Sequence, residues 1–163
     1  MYEAKAAGRD RVVVASTPRA EAGNDSVAGG FLRLVWRDAY RCGHPLIDRQ
    51  HEALFDDANA VLAAAAGGPP SETAVLFAAL VEDCRVHFRD EERILHAAGY
   101  ADAAAHAGVH DRLLVSAERV LGQLRAGACS PGVLFDLIAC DLVAGHILRD
   151  DRRHFPTLTA QRA

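Results

Sequence analysis

Four amphipathic helical segments joined by short breaks predict an all-α chain, an up-down-up-down antiparallel four-helix bundle with an N-terminal arm. Three observations carry that expectation. Apolar residues recur at three-and-four spacing over stretches of roughly 22 to 28 residues. Gly67-Gly68-Pro69-Pro70, Gly99 and Gly127 punctuate those stretches. Strand alternation and Gly-rich phosphate loops do not occur in the sequence, which sets mononucleotide-binding folds aside. With 163 residues, 50% of them hydrophobic, the chain is long enough for one well-buried domain and short for two.

Residues 1 to 30 mix charges with Ala, Gly and Ser around one short apolar run, Val12-Val13-Val14. They read as a flexible extension outside the core, with the bundle spanning residues 31 to 163. From Phe31 to Tyr40 large apolar side chains are dense, and the stretch reads as a packed arm leading to Pro45, a favoured first helical residue.

The first helical segment, about Pro45 to Ala66, puts Ile47, His51, Leu54, Ala58 and Val61 on one side, with Asp48, Arg49, Glu52 and Asp56 largely on the other. The second is expected to start with Ser71 as N-cap and to carry Val75, Leu76, Leu80, Cys84, His87, Phe88, Glu91, Ile94 and Leu95 to about Ala98. The third runs from about Ala101 to Ala126 through His106, His110, Leu113, Leu114, Val120, Leu121 and Leu124, with Asp102 as its cap. The fourth begins at Ser130-Pro131 and carries Leu134, Leu137, Ile138, Leu142, Val143, His146 and Ile147 until Pro156 forbids continuation.

Antiparallel helices of similar length bring a residue late in one level with a residue early in the next. His87 and Glu91 thus come level with His106 and His110, and His51 with His146 and Asp151. Positions four apart share a helix face, so His87/Glu91 and His106/His110 are forked pairs of ligating atoms. Five imidazoles and two carboxylates exceed what one ion accepts, and match neither a tetrahedral zinc site nor an all-oxygen calcium or magnesium site. Two octahedral iron or manganese ions fit better. If both carboxylates and one solvent oxygen bridge the ions, roughly eleven of twelve positions are filled. A single vacancy suits a small ligand bound end-on rather than an organic substrate. Without metal, the same core would bury these groups at several kcal/mol of desolvation. On a regular helix Asp150, four residues after His146, is the better partner, because Asp151 is rotated from His146 by about 140°.

Trp36-x-x-x-Tyr40-x-x-Gly43, Ile47-Asp48-x-Gln50-His51-x-x-Leu54-Phe55, His87-Phe88-x-x-Glu91-Glu92, Tyr100, His106-x-x-x-His110 and His146-Ile147-x-x-x-Asp151 follow one another in order. Over about Val35 to Leu158 this pattern resembles the motifs of the bacterial hemerythrins. The resemblance implies reversible dioxygen binding, without enzymatic turnover, at two iron ions joined by an oxo or hydroxo bridge. It implies that His106, His110 and His146 hold the coordinatively full iron and His51 and His87 the iron with the vacancy. Glu91 and Asp151 would bridge, the family spacing selecting Asp151 over Asp150. Leu54, Phe88, Val143 and Ile147 match positions that wall the ligand pocket, where they would exclude water.

Two positions depart from the pattern. Leu142 stands where the family often has Trp, and His154 where it usually has Tyr. A smaller wall residue widens the pocket and favours fast autoxidation, or nitric oxide or peroxide as ligand. His44, His96 and His154 match no ligand position and are expected at the surface or in supporting roles. Glu92 and Asp48 read either as partners fixing an imidazole tautomer or as solvated charges. Three other functions compete: a di-iron oxidase or peroxidase, which should show paired Glu-x-x-His motifs that this chain lacks, a domain reporting oxygen, iron or nitric oxide to a protein partner, and iron storage, for which the chain lacks an acidic cluster.

A formal charge of -4 and a pI near 6.0 offer no concentrated basic face for nucleic acid or anionic membrane. Cys42, Cys84, Cys129 and Cys140 are widely spaced without Cys-x-x-Cys, the usage of free thiols in a reducing cytoplasm. No apolar run approaches about 20 residues and the N-terminus lacks a secretory pattern, so a cytoplasmic protein is expected.

Overall fold

Asn59 ties the arm to the bundle: the backbone N–H of Leu34 donates to its Oδ1 and its Nδ2 donates to the Leu34 carbonyl, both at 2.8 Å. The computed structural model describes residues 14–15 and 33–160. The flexible extension expected over residues 1 to 30 lies outside the described residues, except that Val14–Ala15 (β1) pairs antiparallel with Arg33–Leu34 (β2). After β2, Trp36 sets its ring edge-on to Phe55 at 5.2 Å and to Tyr40 at 5.8 Å, and a 3₁₀ turn at Asp38–Tyr40 leads into the bundle. Among the described residues of the arm, Leu34 and Tyr40 are buried, in keeping with its apolar density.

Three α-helices follow: α1 (Pro45–Gly67), α2 (Pro70–Ala97) and α3 (Ala103–Arg125). Proline opens α1 and α2, since its fixed φ suits the first turn and its missing N–H would have no intrahelical partner there. For the same reason Pro70, with Pro69 as N-cap, displaces Ser71 from the capping role the sequence suggests. Asp102 takes the N-cap position of α3 without a side-chain cap bond. Gly99 closes α2 at φ +69°, a left-handed turn that lets the Tyr100 N–H reach the Leu95 carbonyl at 3.0 Å.

Cross-helix pairs give the direction of packing. Gln50 meets His87 and Asp90, so α1 and α2 run antiparallel, and Arg85–Glu118 with Glu92–His110 does the same for α2 and α3. These helices and the fourth segment form an all-α four-helix bundle.

The fourth segment is not the regular helix that periodicity predicts. It opens as α4 (Pro131–Phe135), capped by Ser130 Oγ accepting from the Val133 N–H at 3.3 Å. It then runs as a π-helix over Asp136–Asp150 and tightens to a 3₁₀ turn at Asp151–Arg153. That change of pitch, and not Pro156, ends it: Pro156 sits in the first turn of α5 (Phe155–Ala160), where proline is tolerated. By length and composition Pro131–Arg153 could cross a membrane, a possibility the sequence expectation missed, but much of it is buried inside the bundle, as a core helix would be.

Buried apolar residues form two clusters. The larger includes Leu54, Phe55, Phe77, Leu80, Phe88, Ile138, Val143 and Ile147; the smaller joins Cys42, Ile47, Leu95 and Leu158. His51 lies between Ile47 and Leu54 on α1, and Glu91 between Phe88 and Leu95 on α2. Asp151 and His154 lie between Ile147 and Leu158. The polar residues therefore form a layer across the bundle, closed by apolar packing on both sides.

Candidate metal centre

His51, His87, Glu91, His106, His110, His146 and Asp151 are all buried, and each helical segment contributes at least one of them. Their ligating atoms fall into two groups, each within 4.8 Å of one another. One comprises Glu91, His106, His110, His146 and Asp151, and the other His51, His87, Glu91 and Asp151. Both carboxylates belong to both groups. Glu91 Oε2 stands 3.0 Å from His106 Nε2 and 3.1 Å from His110 Nε2. Asp151 turns Oδ2 to His51 Nε2 at 3.2 Å and Oδ1 to His146 and His106 at 3.3 and 3.4 Å. His51 and His87 bring their Nε2 atoms to 3.1 Å of each other.

The π-helix places Asp151. Its N–H bonds to the His146 carbonyl five residues back, so residues five apart lie over one another along this segment. Asp150, which regular-helix geometry would choose, instead pairs with Arg149 at 3.1 Å.

Two imidazoles are held from behind. His110 Nδ1 lies 2.7 Å from Glu92 Oε1, and His87 Nδ1 lies 3.1 Å from Gln50 Oε1, whose amide donates to Asp90 Oδ2 at 2.9 Å. With Nδ1–H so engaged, Nε2 of each ring is left with a free lone pair facing the centre. Glu92 is thus a tautomer-fixing partner. Asp48 is neither that nor a solvated charge: it is buried and accepts from the backbone N–H groups of Cys42 and Gly43 at 2.7 and 3.1 Å, shaping the turn before α1.

Burial, with His51 nearby, lowers His87 to about 3, and burial lowers His146 to about 4, so both stay neutral at ordinary pH. For Glu91 burial acts upward, but His106, His110 and His154 outweigh it and hold the carboxyl well below the usual range. Asp151 is lowered too, against burial and Glu91, by His146, His154 and His51. Neutral imidazoles and ionised carboxylates are the forms that bind metal cations.

The donor set fits a metal pair on a direct structural criterion. His110 Nε2, both nitrogens of His146, Glu91 Oε1 and both oxygens of Asp151 are buried without a hydrogen-bond partner. Buried polar atoms are ordinarily satisfied, and these converge on one layer, where shared cations would satisfy one nitrogen of His146 and the other atoms named.

The four expected wall residues, Leu54, Phe88, Val143 and Ile147, are buried in the larger core cluster. Phe88 stacks on His110 with ring centroids 4.0 Å apart and meets His146 edge-on at 5.1 Å. An apolar cavity of about 20 Å³, lined by Phe88, Leu142, Phe77 and Cys84 among others and by none of the seven ligating residues, lies within the larger core cluster.

Of the surface and supporting positions expected for His154, the structure excludes the surface. The residue is fully buried, and its Nε2 stands 3.1 Å from Glu91 Oε1 and 3.8 Å from Asp151 Oδ1. Burial would lower this imidazole, yet Asp151 and Glu91 together raise it to about 9. No α-helical spacing signals this position: three residues after Asp151, His154 eclipses that residue only because the segment tightens to 3₁₀ there. His96 is exposed and His44 partly buried.

The hemerythrin HHE cation binding domain family matches residues 42–158. A bacteriohemerythrin of Methylococcus capsulatus is 32% identical over 113 residues, covering 69% of this chain and 86% of its own. One of Pseudomonas paraeruginosa is 29% identical over 121 residues, covering 74% and 78%. A solved wild-type hemerythrin superposes with a TM-score of 0.69 at 29% identity, covering 77% of this chain and 98% of that one.

Proposed function

The chain belongs to the hemerythrin HHE cation binding domain family, and on that premise we propose that it binds dioxygen reversibly at a pair of non-heme iron ions. The observation that carries this reading is the sharing of Glu91 and Asp151 between two groups of buried ligating atoms. His106, His110 and His146 would hold one ion, His51 and His87 the other, with both carboxylates and an oxo or hydroxo group between them. Bound iron supplies one-electron exchange at two adjacent ions.

The chain's residues set the conditions for that exchange. Glu91 and Asp151 bring negative charge into a layer that water does not reach, where it offsets the charge of the cations. Glu92 and Gln50 hold His110 and His87 in the tautomer that presents Nε2. Phe88, Leu54, Val143 and Ile147 keep the surroundings apolar. An apolar wall excludes water and the protons it carries, which favours release of the ligand unchanged. Free, buried Cys42 and Cys84 suit a reducing cytoplasm.

Iron per chain, measured with the visible spectrum through repeated cycles of air and vacuum, tests the proposal. Two irons and an oxygen-dependent absorption that returns over many cycles are expected. A chain that takes up no iron pair would refute it, and irreversible oxidation with turnover of a substrate would replace it with an oxidase.

A further inference from the structure

Among the described residues, Trp36 is the one half-buried aromatic side chain whose ring meets a member of the two ligand groups. Its ring centroid stands 6.2 Å from that of His51, at a tilt of 60°. Phe88 also packs on the histidines but is buried, and the half-buried rings of Tyr100 and Phe155 meet the layer at His154, outside both groups.

The arm fixes the indole by packing. Leu34, two residues before it, is tied to Asn59 of α1, and edge-on contacts to Phe55 at 5.2 Å and Tyr40 at 5.8 Å hold the ring. His51 and Phe55 are four residues apart on α1 and share a face, so Trp36 lies against both. Its Nε1 has no hydrogen-bond partner, so no polar contact accounts for an indole at this position. What the ring does provide is a packed aromatic path from the surface of the arm to His51.

Electron tunnelling through protein weakens steeply with distance and is carried best across packed contacts. The rings between solvent and a redox ion therefore decide where electrons enter. Ferrous ions are the form that binds dioxygen in the di-iron reading, so a pair lost to oxidation recovers only by taking up one electron per ion.

We propose that Trp36 is the electron-entry residue of the centre: an external one-electron donor meets the arm there, and its electron crosses the contact between indole and imidazole to the ion that His51 would hold. This inference rests on the di-iron reading. For each pair, two donor molecules lose one electron each and two ferric ions become ferrous. Trp36 and His51 only bridge the transfer, being neither oxidised nor reduced, and no bond is made or broken.

The test takes the iron-loaded full chain, oxidised in air and then made anaerobic, and follows the loss of its ferric absorption on mixing with hexaammineruthenium(II). Trp36→Leu removes the ring, and Trp36→Phe keeps a smaller one. A second readout uses the indole itself, the only tryptophan in the chain, whose emission reports its coupling to the ions. Emission of the wild type should be quenched on iron loading. With two irons and an unchanged ferric spectrum, Trp36→Leu should be reduced several-fold more slowly than the wild type, and Trp36→Phe should fall between them. If Trp36→Leu does not fold or load, the slower reduction of Trp36→Phe carries the comparison.

Reduction of the variants at the wild-type rate or faster overturns the inference and leaves the di-iron reading intact. An altered ferric spectrum or iron content in Trp36→Phe also overturns it, by making Trp36 a packing support of the centre, as does wild-type emission that loading leaves unquenched. A wild-type chain that loads no iron overturns the di-iron reading and this inference with it.

Discussion

His146 and Asp151 stand one π turn apart: the Asp151 N–H bonds to the His146 carbonyl, and Asp151 Oδ1 lies 3.3 Å from His146 Nδ1. On an α-helix the same two residues would diverge by about 140°. The π-helix is therefore what allows one segment to contribute both an imidazole and a carboxylate at this spacing. Asp151→Asn is expected to lose the iron pair, whereas Asp150→Asn, which alters pairs with Arg149 and Arg153 outside the layer, should retain it. Iron per chain after loading distinguishes them, and equal retention would refute the assignment of Asp151.

Gly145 lies inside the π-helix, and a Cβ there would stand 2.9 Å from the Cys140 carbonyl oxygen, closer than a side-chain carbon tolerates. Gly145→Ala must displace the backbone one residue before His146. Strain of this kind costs about 1–3 kcal/mol, and each kcal/mol moves the Tm of a domain this size by about 2–4 °C. Calorimetry of the iron-loaded protein should show such a fall together with weaker iron retention. Retention equal to wild type would show that the π geometry survives a methyl group at this position.

The bundle and its polar layer were legible from spacing because His87/Glu91 and His106/His110 obey the α-helical period, and α2 and α3 are α-helical where those pairs lie. Asp151 was not legible in that way. Its place depends on a π-helix and that of His154 on a 3₁₀ turn, and apolar periodicity over Leu134 to Ile147 does not distinguish these pitches from α. Only resemblance pointed to Asp151, and nothing pointed to the contact between His154 and Glu91. Ser71 gave way to Pro70 because cap preference and the proline preference for a first turn competed over adjacent residues.

The metal-free chain should be acid-labile. His87 and His146, lowered to about 3 and about 4, stay neutral in the fold while the unfolded chain titrates near 6.5. Between those values the unfolded state binds more protons, so stability falls as pH drops through that window. Glu91 and Asp151, also lowered, act in the same direction at lower pH. His154, raised to about 9, works oppositely, its contribution being fully present below pH 6.5 and lost as pH rises through 9. Urea midpoints of the metal-free chain should therefore fall between pH 6.5 and 4, and a flat profile would show that these imidazoles do not stay neutral in the fold.

Metal removal should reveal how far the layer depends on cations. Without them, His110 Nε2, both nitrogens of His146, Glu91 Oε1 and both oxygens of Asp151 are buried without hydrogen-bond partners, and each such group costs about 1–3 kcal/mol. An ion bound only by the folded chain adds about 2.7 kcal/mol when present at 100 times its Kd. Chelation should thus lower the Tm well beyond the effect of buffer, and readdition of ferrous iron should restore it. Because Phe55, Leu80 and Ile147 lie in an apolar cluster to one side of the layer, the stripped chain should keep its far-ultraviolet helical signal while melting earlier. Identical melting curves with and without metal would mean that this layer is satisfied by water, and would remove the physical basis for a structural metal pair.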